Sequence, residues 1–233
     1  MVCIRKDLWA LALIGVGVVG IQGCSTSSAQ PTAQLPVKYS DSSTNPEEKL
    51  DEQRLAVATQ GLKIQNGLIA VAAPKASDKQ AGESLRIKAE NTLEVRNVWF
   101  EGVAGFRDAI LADPNNAKSY EGMARAFLLE GMTEEALPAL STAVKLDSKF
   151  SKARYEIGMV KQMNSDYAGA VSEWKALSVF DPSYQDVFAR MAIASYYQRD
   201  FKSASIYLAE ADKRHQPVPP QFRPLLKEAQ SGS

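Results

Sequence analysis

Few side chains in this sequence could support catalysis or metal binding. It has one histidine, His215, and two cysteines, Cys3 and Cys24. A zinc site needs a second histidine or several reduced cysteines, so none is predicted. A catalytic triad needs a histidine beside a nucleophile, whereas His215 follows Lys213 and Arg214 at a predicted helix end, where cations interact favourably with the helix dipole. No GxGxxG or P-loop pattern is present to hold a nucleotide phosphate. The sequence therefore predicts a protein that is not an enzyme, with no metal, no cofactor and no small-molecule substrate.

Cys24 is the residue whose surroundings point most clearly to chemistry. Arg5 and Lys6 precede an uncharged apolar run, Leu8 to Ile21. A membrane-spanning helix needs about 20 apolar residues, so this shorter run matches the core of a signal peptide. It ends in Ile-Gln-Gly-Cys, which resembles a lipobox, although Gln22 is a less usual residue there. The alternatives are an ordinary secretory signal or a membrane anchor that ends at a cysteine.

The lipobox resemblance implies a bacterial lipoprotein. Residues 1–23 are then a signal peptide, cleaved before Cys24, and Cys24 becomes the lipid attachment site. Cys3 leaves with the signal, so the mature chain has neither a free thiol nor a disulfide. Lipoproteins kept in the inner membrane typically carry Asp after the cysteine, whereas this chain has Ser25. The resemblance therefore implies the periplasmic face of the outer membrane.

The segments after Cys24 are predicted from composition. Residues 24–45 are rich in Ser, Thr, Pro and Gln, and we interpret them as a flexible tether. Residues 46–96 are interpreted as a mainly helical, degenerate segment, with Asn45 as a possible N-cap. Within it, residues 62–71 either continue as a helix or form a hairpin around Asn66-Gly67. We favour the helix because everything downstream is helical.

A period of 34 residues organises the rest of the chain. Units that begin at Ala117, Ser151 and Gln185 repeat the same residue types at the same positions. The recurring residues are Ala124, Gly158 and Ala192 at position 8; Ala136, Ala170 and Ala204 at position 20; Leu140, Trp174 and Leu208 at position 24; and Ala143, Leu177 and Ala211 at position 27. Polar or Gly turns recur in mid-unit. At these positions the sequence resembles the tetratricopeptide repeat.

The resemblance implies an all-α solenoid of antiparallel helix pairs, in which small residues let the helices cross closely. It covers residues 97–230. A poorer unit from Glu83 has Glu90 where a small residue belongs, and shows no turn between Leu93 and Phe106. A half unit from Pro219 predicts a capping helix, which such arrays require at their end.

In this repeat the first helix of each pair lines a concave groove, with positions 2, 5, 9, 12 and 13 facing it. We therefore predict a partner-binding groove on three first helices. Its predicted residues are Lys118, Glu121, Arg125, Leu128, Leu129, Lys152, Tyr155, Met159, Gln162, Met163, Asp186, Ala189, Arg190, Ile193, Tyr196 and Tyr197. Tyr, Met and Leu on such a face are typical of protein-binding surfaces. Packing against neighbouring units is the alternative for any one of them.

The charges of the chain do not point to nucleic acid as a partner. Lys+Arg 27 balances Asp+Glu 27, so there is no basic excess. Lys118 and Lys152 resemble part of a clamp for acidic C-termini, but the full set is absent and a solvated charged face is favoured.

In size and layout the chain resembles the TadD and PilF/PilW types of pilus-assembly lipoprotein, which implies a scaffold in an envelope machine such as a pilus or secretion system. The alternative is an adaptor of the NlpI type that recruits a periplasmic cell-wall hydrolase or protease.

Overall fold

The computed structural model describes residues 46–231, and in this range the chain forms ten helices and one two-stranded sheet. The elements are α1 (Pro46–Ala58), β1 (Leu62–Gln65), β2 (Leu68–Val71), α2 (Lys79–Arg96), α3 (Trp99–Ala112), α4 (Ala117–Leu128), α5 (Thr133–Leu146), α6 (Ser151–Met163), α7 (Tyr167–Phe180), α8 (Val187–Tyr197), α9 (Phe201–Lys213) and α10 (Phe222–Ser231). Helices α2 to α9 form four successive pairs, and each pair packs on the next. The predicted all-α solenoid is confirmed. Cys24 and the tether lie outside the described residues.

Small residues bring the two helices of each pair into close contact. Ala136, Ala170 and Ala204, all at position 20 of their units, are fully buried. At Gly158 an added Cβ would lie only 2.2 Å from the Trp174 Nε1 atom. The 34-residue register therefore reflects the space available at the helix crossings.

The turn inside each pair uses the same backbone conformation at position 15. Gly131, Ser165 and Arg199 have φ values of 72°, 62° and 63°. Asn97 has the equivalent place in the first pair, with φ 52°, and ends α2 as its C-cap. We expected no turn between Leu93 and Phe106, and that expectation is wrong. Asn is one of the few residues that adopts the left-handed region at low cost, so Asn97 supplies the turn without glycine.

Residues 62–71, which precede the first pair, form a hairpin, whereas we favoured a helix there. Asn66 and Gly67 both have positive φ, 53° and 71°, as a two-residue type I′ turn requires. The hairpin packs against α5, where the Ile69 N–H donates to the Thr142 hydroxyl at 2.8 Å. Helix α1 packs against α3. Both elements thus cover second helices of the pairs, on the side opposite to the predicted groove.

The apolar core lies between the pairs and is closed at the C-terminal end by α10. One buried cluster joins α2 to α6, and a second joins α6 to α9. Phe222 and Leu226 of α10 are buried, as a capping helix requires. Among residues 46–231 no helix is both long enough and apolar enough to cross a membrane.

Candidate functional site

The inward positions of α2, α4 and α6 carry a row of ion pairs. Arg125 on α4 contacts Glu90 on α2 at 3.0 Å and Glu121 on its own helix at 2.9 Å. Lys152 on α6 contacts the same Glu121 oxygen at 2.8 Å. We call Glu90, Arg125, Glu121 and Lys152 the ion-pair ladder. It links the first helices of three pairs, and Glu121 within it is buried.

Glu156 adjoins this ladder, and nothing in the sequence pattern singled it out. Burial and the neighbouring negative charge of Glu121 raise the pKa of the Glu156 carboxyl, while Lys152 and Arg125 oppose the shift. A buried oxygen of Glu156 has no hydrogen-bond partner among the described residues. The raised pKa favours the protonated form of Glu156 beside the Glu121 carboxylate.

The ladder leaves few cations in this half of the groove free to bind an acidic ligand. Arg125 and Lys152 are neutralised by glutamates of the chain, and Arg154 and Lys161 both contact Glu173. Lys118 is exposed. The structure therefore favours the solvated, internally paired face over a clamp for acidic termini.

Tyr155 lies in the core and not on the open face for which we predicted it. Only 7% of its surface is exposed, and its ring packs 6.3 Å from Trp174 and 5.4 Å from Tyr184. Its hydroxyl donates to Asp186 at 2.5 Å, and Arg190 donates to the other Asp186 oxygen at 3.0 Å. Burial raises the pKa of the Tyr155 hydroxyl. These contacts join the third pair to the fourth, so Tyr155 serves mainly the fold.

Other predicted groove residues are also partly or wholly used in packing. Ala189 and Ile193 are buried, and Met159 and Gln162 are half-buried. Tyr196 is half-buried and packs its ring 5.6 Å from Phe201 and 5.7 Å from Phe222 of the capping helix. We expected Tyr196 to face a partner; its ring instead faces the C-terminal end of the array.

Position 13 of the units gives the groove its exposed apolar surface. Val95, Leu129, Met163 and Tyr197 occupy this position at the C-terminal ends of the four first helices, and each is between 39% and 84% exposed. Tyr197 also stacks on Tyr167, with ring centroids 5.1 Å apart. We call these four the position-13 row. Val95 was not among the predicted groove residues, because the first unit matched the repeat too poorly there for its inward positions to be assigned.

Comparisons with known proteins agree with the fold. No family model matches the chain, and no curated protein matches its sequence. A crystal structure of MamA is similar over 59% of this chain and 80% of its own, with 16% identity and a TM-score of 0.55. MamA 41-end from Desulfovibrio magneticus RS-1 is similar over 60% and 77%, with 16% identity and a TM-score of 0.53. The first tetratricopeptide repeat domain of Spaghetti (RPAP3), solved with an HSP90 peptide, is similar over 53% and 97%, with 17% identity and a TM-score of 0.51.

At these identities the likeness shows the fold alone, and that fold is the tetratricopeptide repeat. The described residues of the first helices present ion pairs, hydrogen bonds and exposed apolar surface. Between residues 46 and 231 no three His, Cys, Asp or Glu side chains converge as a metal site would require. The first helices offer exposed apolar side chains at regular intervals along the array.

Proposed function

We propose that this protein is a protein-binding scaffold of the outer membrane, anchored by a lipid at Cys24, which serves as an accessory lipoprotein of an envelope machine such as a pilus or secretion system. The observation that carries the scaffold proposal is the position-13 row. Large apolar side chains remain partly or largely exposed at the C-terminal ends of all four first helices, and a regular row of this kind favours a partner that covers it.

The occupant we propose is a helix or peptide of another envelope protein. Every described unit places position 13 on the same side of its first helix, so the row runs along the array and contacts an elongated partner at several points. The repeat domain of Spaghetti (RPAP3), which shares the fold, was solved with a bound peptide. The ion-pair ladder holds three first helices in place, and a preorganised groove loses little entropy when it binds.

The test replaces exposed apolar residues on the two sides of the array. Leu129→Ser with Met163→Ser removes the centre of the position-13 row, and Val179→Ser with Ile206→Ser removes apolar residues of second helices that are even more exposed. Envelope proteins are crosslinked in cells, recovered with each variant and identified by mass spectrometry. We expect the first variant to lose its partners and the second to keep them, with the melting temperature of both near the parent. Loss from the second variant alone would place the docking surface on the second helices.

A third strain carries Cys24→Ser and tests the anchor. If the lipid places the scaffold, this protein leaves the outer-membrane fraction and its partners are no longer recovered, although its groove is intact. An acylated Cys24→Ser protein, still in the outer membrane, would contradict the proposed anchor. The partner list also separates the two functions: secretin or pilin components support the envelope machine, and a cell-wall hydrolase or protease supports the adaptor.

A further inference from the structure

The hairpin on the opposite side of the array has one edge that nothing in the described part of the chain covers. Gln65 and Leu68 flank the two-residue turn, so the hydrogen-bonded pairs are Gln65 with Leu68 and Lys63 with Ala70. The next such pair is confirmed by the Ala72 N–H, which donates to the Gly61 carbonyl at 2.8 Å. The residues between these pairs turn their backbone groups outward.

The outer edges of the two strands differ in whether their outward backbone groups are hydrogen-bonded. On β2, the outward Ile69 N–H is bonded by Thr142 of α5. On β1, the Leu62 N–H donates to the Thr59 carbonyl, whereas the Ile64 N–H and C=O have no partner among residues 46–231. An open edge of this kind is a template for another strand.

An apolar cavity lies beside the same edge. It has a volume of about 220 Å³ and is lined mainly by Leu55, Leu62, Ile64, Ile69, Met123 and Phe127, with Thr59, Lys63 and Glu135 at its polar part. Ile64 pairs with Ile69 across the hairpin and so shares its face, yet Ile64 is 63% exposed while Ile69 is buried. The core under Ile64 is therefore incompletely filled.

We infer that the β1 edge and this cavity form a second docking site, which binds an extended segment of a partner protein by strand addition. The backbone of the segment pairs with Ile64, and an alternate side chain of Leu, Met or Phe enters the cavity. A cavity of roughly 150 Å³ lined by apolar residues already binds benzene, so the volume suffices for one such side chain. The site lies outside the proposed groove and does not depend on it.

The dimensions favour a short peptide segment over a second copy of this chain. The four residues of β1 span about 13 Å at ~3.3 Å per residue. A stable dimer buries roughly 800 Å² on each partner, far more than so short an edge provides. Strand addition, by contrast, derives its affinity from main-chain hydrogen bonds and its specificity from a pocket for an alternate side chain, and both are present here.

The probe is a phage-displayed library of random heptapeptides, selected on the purified full chain. We expect peptides with alternating apolar residues, one of them bulky, and we expect them to slow hydrogen exchange at the Ile64 amide. A synthetic copy of the selected peptide should bind at least about tenfold more weakly when its central amide is N-methylated, which removes a main-chain hydrogen bond without altering the protein.

Two variants of the chain test the two parts of the site. Ile64→Pro removes the outward N–H and blocks the edge, a position where proline is compatible with a strand. Thr59→Leu extends an apolar side chain into the cavity. Each should weaken the synthetic peptide at least about tenfold, whereas Ile206→Ser and the paired Leu129→Ser, Met163→Ser variant should leave its affinity unchanged. A library without enrichment, or peptides that are indifferent to N-methylation and to both variants, would overturn the proposal.

Discussion

Glu156 is a residue whose charge state depends strongly on its surroundings. Its pKa is raised from the ordinary value of 4.5 to about 8 by burial and by Glu121, so the folded protein keeps a proton that the unfolded chain has released. Between these two values the folded state binds more protons than the unfolded state, and the free energy of unfolding falls as pH rises. The contribution of this proton is complete below pH 4.5 and is lost above about pH 8.

Glu156→Gln should remove this pH dependence. The amide cannot ionise and still donates a hydrogen bond to Glu121, so we expect the variant to be more stable than the parent at pH 8, by up to about 4 kcal/mol at ~1.36 kcal/mol per pKa unit. Thermal unfolding from pH 5 to pH 8 measures the difference in stability between variant and parent, with Glu94→Gln on the exposed face of α2 as the control. Parallel pH profiles for parent and Glu156→Gln would show that the carboxyl is already ionised in the folded protein.

At the residue scale, the sequence predicts which residues lie on the inward side of a helix. It does not predict which of them are exposed to solvent and which pack against a neighbouring unit. Glu121, Arg125 and Lys152 were assigned to the groove and do lie together, though as ion pairs with each other. Tyr155 has the same predicted orientation and is buried, because Tyr184 comes from a different segment and covers it. Periodicity fixes the direction of a side chain from its own helix, whereas burial depends on what a neighbouring unit brings against it.

The helix crossings are the best-predicted feature at the scale of elements, because a small residue there leaves a direct signal in sequence.

Gly158→Ala tests how tight a crossing is. Alanine is a better helix former by about 1 kcal/mol, but its Cβ would meet the Trp174 ring 2.2 Å away. We expect net destabilisation of roughly 1–3 kcal/mol from overpacking, measured by urea unfolding. Ser172→Ala, on the exposed side of α7, provides the control and should be neutral or slightly stabilising. A stabilised Gly158→Ala protein would mean that Trp174 moves aside at little cost.

The two elements that were not predicted correctly carry shorter or weaker signals than the helix crossings. For residues 62–71 the Asn66-Gly67 pair predicts a hairpin and the helical context favours a helix, and the turn chemistry is the better guide. The break at Asn97 was missed because asparagine is less diagnostic of a left-handed turn than glycine. In both cases a short local preference for positive φ outweighed the regularity of the surrounding helices.

At the scale of the whole molecule, each helix pair of a solenoid is stabilised mainly by contacts with the pairs next to it. The pair at either end has a neighbour on one side only, so its stability depends on the element that covers its other side. Helix α10 closes the C-terminal end with Leu226, which is 3% exposed, while the adjacent Leu225 is 45% exposed. Arg223 of α10 also pairs with Asp212 of α9. These two leucines differ in burial and not in type, which makes them a matched pair.

Leu226→Ala should destabilise the protein by roughly 2–5 kcal/mol, and Leu225→Ala by much less, because only the first leaves a cavity. The loss should also be local. Hydrogen exchange should quicken in α8 and α9, which lie next to the cap, and change little in α2 and α3, which belong to the other apolar cluster. Measurement of amide exchange along the chain for both variants distinguishes local unfolding near the cap from unfolding of the whole array. Uniform acceleration from α2 to α9 would show that the four pairs unfold as one cooperative unit, and a partner bound at one end of the array would then stabilise the other.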